Sequence, residues 1–403
     1  MDSLIATAGR ALAEGDALTA LKRVALRDDA PALALRGIAM AQLGDLERAA
    51  ELLRRAAVAF GPSQAVAQAR CLVARAEIAF VSRDLGAPMR ALGAARRTLE
   101  AQGDRTNAAQ AGYLEARRLL LIGRLDDCER ILDALSFDAL PAISRTGYWL
   151  VRAGVAIRRI RASAARDALE RAGREAGIPT LASEVATAFR ALESPAARLI
   201  EREGKRLIGL AEVEVLIGSG ALVVDACRNV VRVGPLFAPL AGRPVLFALA
   251  RALAEVSPAE ATRESLIARA FRAREADESH RARLRVEIGR LRRALRPMAS
   301  VEATPRGFAL KPNGGQAIFV LAPPVEEAHA EVLALLGDGE AWSSSALALA
   351  LGVSARTVQR ALDALAETGK AESFGRGRAC RWIAPPSPGF PTSLLLPAAL
   401  VSR

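Results

Sequence analysis

Along the first half of the chain, apolar positions recur at three- and four-residue spacing, the period of an amphipathic helix. From Asp2 to about Glu203 this pattern is almost unbroken. The clearest unit is Ala32–Phe60. Gly37 and Ala39 lie on its first helix, Leu43-Gly44-Asp45 makes a turn, and Ala49, Ala50, Leu53 and Ala56 lie on its second. Small residues let two antiparallel helices approach closely, and a Gly-Asp step supplies a C-cap and then an N-cap. Three weaker copies follow: Gln64–Ser82 with Ala87–Gln102, Thr106–Ile122 with Asp126–Leu135, and Tyr148–Ile160 with Ser163–Ala176. The turns fall near Gly44, Leu85, Gly123 and Arg161, a spacing of roughly 40 residues.

After Gly204 the pattern changes. Ala211–Val233 is rich in Val, Leu and Ile, with turn signals at Gly218-Ser219-Gly220 and Arg228-Asn229, and predicts short antiparallel strands. Helices are predicted at Arg243–Glu255, Ala261–Arg272 and Glu278–Leu295, the last stopped by Pro297, and a hairpin at Val301–Leu310. Beyond the Asn313-Gly314-Gly315 and Pro323-Pro324 breaks come helices at Glu326–Leu336, Ser343–Leu351 and Ala355–Thr368, with a tight turn at Gly352-Val353-Ser354. Domains are therefore expected at 1–203, 206–311 and 325–384, followed by a Pro-rich and then apolar tail over 385–403.

The helix at 278–295 carries the chemistry. Leu284, Ile288, Leu291 and Leu295 form one apolar stripe, spaced i, i+4, i+7 and i+11. At 100° per residue Val286, Arg290 and Arg293 point the opposite way, with Ala282 and Gly289 beside them and Arg281, Arg283, Arg285 and Arg292 flanking. Residues 280–311 hold nine basic and two acidic side chains, a net of +7. Residues 1–200 hold 29 basic and 23 acidic, only +6 over half the chain. Exposed helices ordinarily mix signs, whereas seven arginines here stand between positions 281 and 296 against one acid, Glu287. Guanidinium groups on such a face can pair with guanine in a major groove or hold phosphate oxygens, so double-stranded DNA is the expected partner.

Leu284–Leu295, LRVEIGRLRRAL, resembles the recognition helix of the winged-helix domain at the C-terminus of OmpR-type response regulators. Val301–Leu310, with Gly307-Phe308, resembles that family's wing and places Arg306 at its tip, and Thr262–Leu266 resembles the start of its second helix. Ala346–Lys370 resembles the helix-turn-helix of GntR- and DeoR-type winged-helix repressors. It puts Arg356, Thr357 and Arg360 outward, Gln359 and Asp363 alongside, and Val358, Leu362 and Leu365 inward. Phe374–Arg378 resembles a glycine-arginine wing tip carrying Arg376 and Arg378, with Arg381 and Trp382 on the return strand. Ala32–Phe60 resembles a tetratricopeptide repeat. Together these resemblances imply a mainly α fold: an N-terminal α-solenoid of helix pairs, then two winged helix-turn-helix domains with small β-sheets. They imply a bacterial-type, sequence-specific transcription regulator. The alternative is an adaptor whose repeats and winged helices dock proteins. Stacked helix pairs offer a groove to a protein or peptide partner, or a packing and homodimerisation element.

Composition narrows the rest. The chain is 51% apolar and 25% charged, as globular proteins are, and its 403 residues exceed a single ordinary core. No apolar run reaches the ~18 residues of a membrane span, and the N-terminus lacks the pattern of a secretory signal. Cys71, Cys128, Cys227 and Cys380 are far apart, as expected of thiols in a reducing cytoplasm, and His280 and His329 are the only two histidines. No phosphate-binding glycine loop, metal-ligand spacing or nucleophile–base pair is present, so no cofactor, no metal and no enzymatic activity are expected.

Overall fold

The computed structural model describes residues 3–81, 91–201, 204–240, 243–271, 277–324, 329–336, 341–351, 353–375, 377 and 380–383. These residues are mainly helical, with three small sheets. They fall into two compact units: 1–155 with 165–188 and 328–403, and 156–164 with 189–327. No helix among the described residues is long and apolar enough to cross a membrane.

In the first unit, helices Ser3–Ala13, Ala17–Val24, Ala30–Gln42, Leu46–Phe60, Ala65–Val81, Leu92–Ala101, Arg105–Leu121 and Leu125–Ala134 each pack on the next. The turn at residues 43–45 shows how sequence sets that packing. Gly44 takes a left-handed conformation (φ +86°), which a side chain would strain. The Asp45 amide then donates to the Met40 carbonyl (3.0 Å), and the Asp45 carboxylate accepts from the Arg48 amide (3.2 Å). One helix is thus closed and the next opened within two residues. Gly15-Asp16 and Gly103-Asp104 repeat the step. At residue 160 an isoleucine takes the left-handed position instead (φ +58°). At Gly37 a Cβ would lie 2.7 Å from Leu53 Cγ, so only glycine permits the observed approach of those two helices. The expected turn near Leu85 lies outside the described residues.

Helices Ala142–Arg158, Ala162–Glu175 and Pro179–Glu193 continue the chain. The first begins six residues before the expected Tyr148, and the third has no counterpart among the expected pairs.

The 330–383 stretch holds helices Ala330–Leu336, Ser344–Leu351 and Ala355–Glu367 and the strands β10 (Glu372–Phe374) and β11 (Arg381–Ile383). The sequence pattern sets this stretch apart as a module. Its buried side chains, including Leu336, Trp342, Leu362 and Trp382, nevertheless belong to one continuous cluster with Leu114, Leu132 and Tyr148 of the paired helices.

The second unit is built around a six-stranded sheet of β1 (Ala197–Glu201), β2 (Gly204–Ile208), β3 (Leu222–Asp225), β4 (Val230–Val233), β5 (Leu236–Pro239) and β9 (Ile318–Ala322). Their order is β2-β1-β9-β3-β4-β5, with β3 and β9 parallel and the other pairs antiparallel. Two expectations are corrected here. Residues 211–218, read as strand, belong to helix Leu210–Gly218. The Val-rich composition suggested strand, but Leu210 and Val213 are buried while Val215 is exposed, so tertiary packing decides. Residues 197–201, read as the end of the helical half, form β1, whose Ala197, Leu199 and Ile200 are buried.

Helices Pro244–Val256, Arg263–Phe271 and Glu278–Leu295 pack against this sheet or on one another. A three-stranded sheet follows, β6 (Ala261–Thr262), β8 (Gly307–Pro312) and β7 (Ala299–Ala303), in the order β6-β8-β7. A Cβ at Gly307 would lie 1.8 Å from the Ala261 carbonyl oxygen, so the β6–β8 pairing requires glycine there.

Candidate nucleic-acid interface

The Glu278–Leu295 helix starts on a strong cap. The Asp277 carboxylate accepts from the His280 amide (2.8 Å), and Ser279 Oγ and His280 Nδ1 lie 2.7 and 2.6 Å from it. These bonds, the His280 amide first, hold the Asp277 carboxyl down at about 2 from an ordinary value of 3.8. A lowered folded-state pKa adds stability that is present above the ordinary value and lost as pH falls toward the folded one. The His280 amide resonance is therefore expected to titrate with a midpoint of about 2 in an NMR pH series. In Asp277→Asn that step should be absent, and a midpoint at 3.8 in the parent chain would remove the cap from this account.

The stripe faces the core: Leu284 and Ile288 are 1% exposed, Leu291 and Leu295 0%. On the other side Arg281, Arg283, Arg285, Arg290 and Arg293 are all exposed, with Val286 54% exposed among them. The structure thus brings these six expected residues onto one surface. Arg296 extends it just past the helix end. Several of the arginines have intramolecular partners. Arg281 and Arg285 reach Glu278 (3.7 and 2.9 Å), an acid one turn before the arginine run. Arg290 reaches Glu287 (2.8 Å), and Arg283 stacks over the Phe271 ring at 4.6 Å. Arg293 and Arg296 make no ion pair among the described residues. Exposed ion pairs are worth only about 0–1 kcal/mol, so exchanging a carboxylate for a phosphate there costs little.

Arg292, expected to flank the outer face, stays exposed there and is tethered to the neighbouring hairpin. Its Nε donates to the Val301 carbonyl (2.7 Å) and its guanidinium stands 5.9 Å from the Phe308 ring centre, tying the helix to the β7–β8 hairpin. The hairpin tip is held as well. Arg263 donates to the carbonyls of Pro305 (2.8 Å) and Thr304 (3.1 Å), and Thr304 Oγ1 accepts from the Gly307 amide (2.9 Å). Arg306 projects from this braced tip with its side chain 80% exposed, paired with Glu260 at 2.5 Å.

The other expected group sits on Ala355–Glu367, in the first unit. Ser354 caps the helix by accepting from the Thr357 amide (3.1 Å). Val358, Leu362 and Leu365 are buried, and Arg356, Thr357 and Arg360 are exposed. Thr357 Oγ1 lies 2.8 Å from Ser354 Oγ. Gln359 is half-buried and donates to Asp363 (2.8 Å), while Arg356 and Arg360 make no ion pair among the described residues. Trp382 is buried and exchanges two main-chain hydrogen bonds with Trp342, each 2.8 Å. Arg376 and Arg378 lie outside the described residues.

Other chemistry-bearing groups are dispersed. Burial pushes the Cys71 and Cys227 thiols up to about 12, far from a reactive thiolate. Burial also pushes the Glu77 carboxyl up to about 8, against the opposing Arg117 charge and a 3.5 Å hydrogen bond from Gln110. Among the described residues no three His, Cys, Asp or Glu side chains gather as a metal site would need. Comparison with protein-family models, with curated proteins and with solved structures finds no match.

Proposed function

We propose that this chain is a non-enzymatic, sequence-specific transcription regulator that holds duplex DNA on the outer face of the Glu278–Leu295 helix and the β7–β8 hairpin. In this reading the second unit is a winged helix similar to the OmpR type, its helix entering the major groove and Arg306 reaching the flanking backbone. The observation that carries it is the division of one helix: the stripe at 284, 288, 291 and 295 is at most 1% exposed, while Arg290 and Arg293 stand in solvent opposite it and Arg281, Arg283 and Arg285 stand in solvent on its flanks. Phosphate neutralisation supplies affinity, and guanidinium contacts to base edges supply sequence choice. The paired helices are tetratricopeptide-like and serve as the platform for a protein or peptide partner. The Ala355–Glu367 helix is the second DNA-reading element, through Arg356, Thr357, Gln359 and Arg360.

One observation favours a second reading, in which the chain is an adaptor. The apolar core of the 330–383 stretch is continuous with that of the paired helices, as in a module built to dock on protein. Electrophoretic retention of a mixed-sequence duplex by the full chain separates the two readings. Retention near ~50 mM salt that fades toward ~200 mM supports the regulator. No retention at low salt supports the adaptor.

A further inference from the structure

The outer face of the 278–295 helix has two flanks, and they are built differently. On one, Arg292 binds the β7–β8 hairpin. On the opposite flank Glu287 and Arg290 border an open groove of about 590 Å³, completed by Arg293, Arg243, Pro244 and Val245. Three guanidinium groups meet there against one carboxylate, which leaves a net charge of +2 around the groove. Glu287 is already engaged by Arg290, and neither Arg243 nor Arg293 makes an ion pair among the described residues. Like charges in excess of their counter-charge on one groove repel one another, and an anion seated between them relieves that repulsion. Pro244 begins a 13-residue helix, so the positive end of that helix opens on the same place, but the three guanidinium groups are what define the charge.

Resting on the DNA reading above, we infer that this groove is a phosphodiester-holding site for the DNA backbone, with Arg243 as a contact the helix pattern alone does not reveal. A helix lying in a major groove of about 12 Å width has a phosphate chain along each side. The hairpin with Arg306 meets one chain, and the 243–245 segment with Arg290 and Arg293 meets the other. Its ligand class is a backbone phosphate, not a base, so its contribution is independent of sequence.

The experiment is a fluorescence-anisotropy titration of a labelled mixed-sequence duplex of about 30 base pairs by the full-length parent chain, Arg243→Ala and Arg243→Lys over a salt series. Loss of one phosphate contact lowers the steepness of log affinity against log salt by about 0.9 in Arg243→Ala. Affinity near ~0.1 M salt then falls several-fold by the same factor on unrelated sequences, and the lysine variant, which keeps the charge, recovers most of the loss. Parent-like slope and affinity in Arg243→Ala would overturn this site and leave the regulator reading intact. A loss confined to one sequence would also overturn it, since a base would then be the contact. Absence of duplex binding by the parent chain would overturn both.

Discussion

Replacing Arg290 and Arg293 together with alanine is expected to weaken duplex DNA binding on the order of 100-fold or more, with thermal stability within about 1 kcal/mol of the parent. Each guanidinium contact to a base edge or phosphate is worth about 1–3 kcal/mol, so two lost contacts amount to roughly 2–6 kcal/mol. The fold should not notice. Both side chains project from the solvent side of the 278–295 helix, Arg293 has no ion-pair partner among the described residues, and the Arg290–Glu287 pair is half-exposed on the arginine side. Glu287 is 12% exposed and loses its partner in the variant, which accounts for the small stability change allowed. Anisotropy and a thermal melt on the same preparation check this. Unchanged binding with an unchanged melt would mean that the arginines are only a solvated face.

Leu291→Ala is expected to do the reverse and act through the fold. Leu291 is fully buried in the cluster that joins helices Pro244–Val256, Arg263–Phe271 and Glu278–Leu295 to Leu222 and Leu310 of the sheets. Truncating a buried leucine costs about 2–5 kcal/mol. For a unit of this size that is a fall in melting temperature of roughly 10 °C. DNA binding should be parent-like at low temperature and be lost in step with unfolding, as followed by circular dichroism and anisotropy on one temperature ramp. A melting temperature unchanged by this substitution would mean that position 291 is not the inner side of the helix. Surface and core substitutions on one helix therefore separate recognition from stability.

The 278–295 helix was legible in the sequence because its signals are local and agree. An i, i+4, i+7, i+11 stripe and a following proline fall within about four turns of one another. The Gly44-Asp45 turn of the helical half was legible for the same reason, whereas Gly15-Asp16 and Gly103-Asp104 come from the structure. What could not be read depended on distant partners. Helix 210–218 is a short Val- and Leu-rich run whose period is ambiguous, and the burial of Leu210 and Val213 in the folded chain settles it. Strand β1 pairs with β2 just after it, but its other edge finds β9 more than 100 residues later, and that pairing cannot be read from the segment itself. Arg292 looks like its neighbours in sequence and differs only because the Val301 carbonyl is within its reach. Arg243 belongs to a different helix start, and its place beside Arg290 and Arg293 exists only in the folded unit. The shared core of the 330–383 stretch and the paired helices is likewise a matter of tertiary packing, invisible to a pattern read one segment at a time.

The claim that a cationic helix face meets the DNA backbone is tested most directly by the slope of log affinity against log salt, measured side by side for the parent chain and the Arg290→Ala/Arg293→Ala variant. With six to ten phosphates engaged, the parent slope is expected between about −5 and −9, and the variant is expected to be shallower by up to ~1.8 if both arginines bind phosphate. A parent slope near zero, or parallel lines of equal affinity for the two proteins, would contradict it.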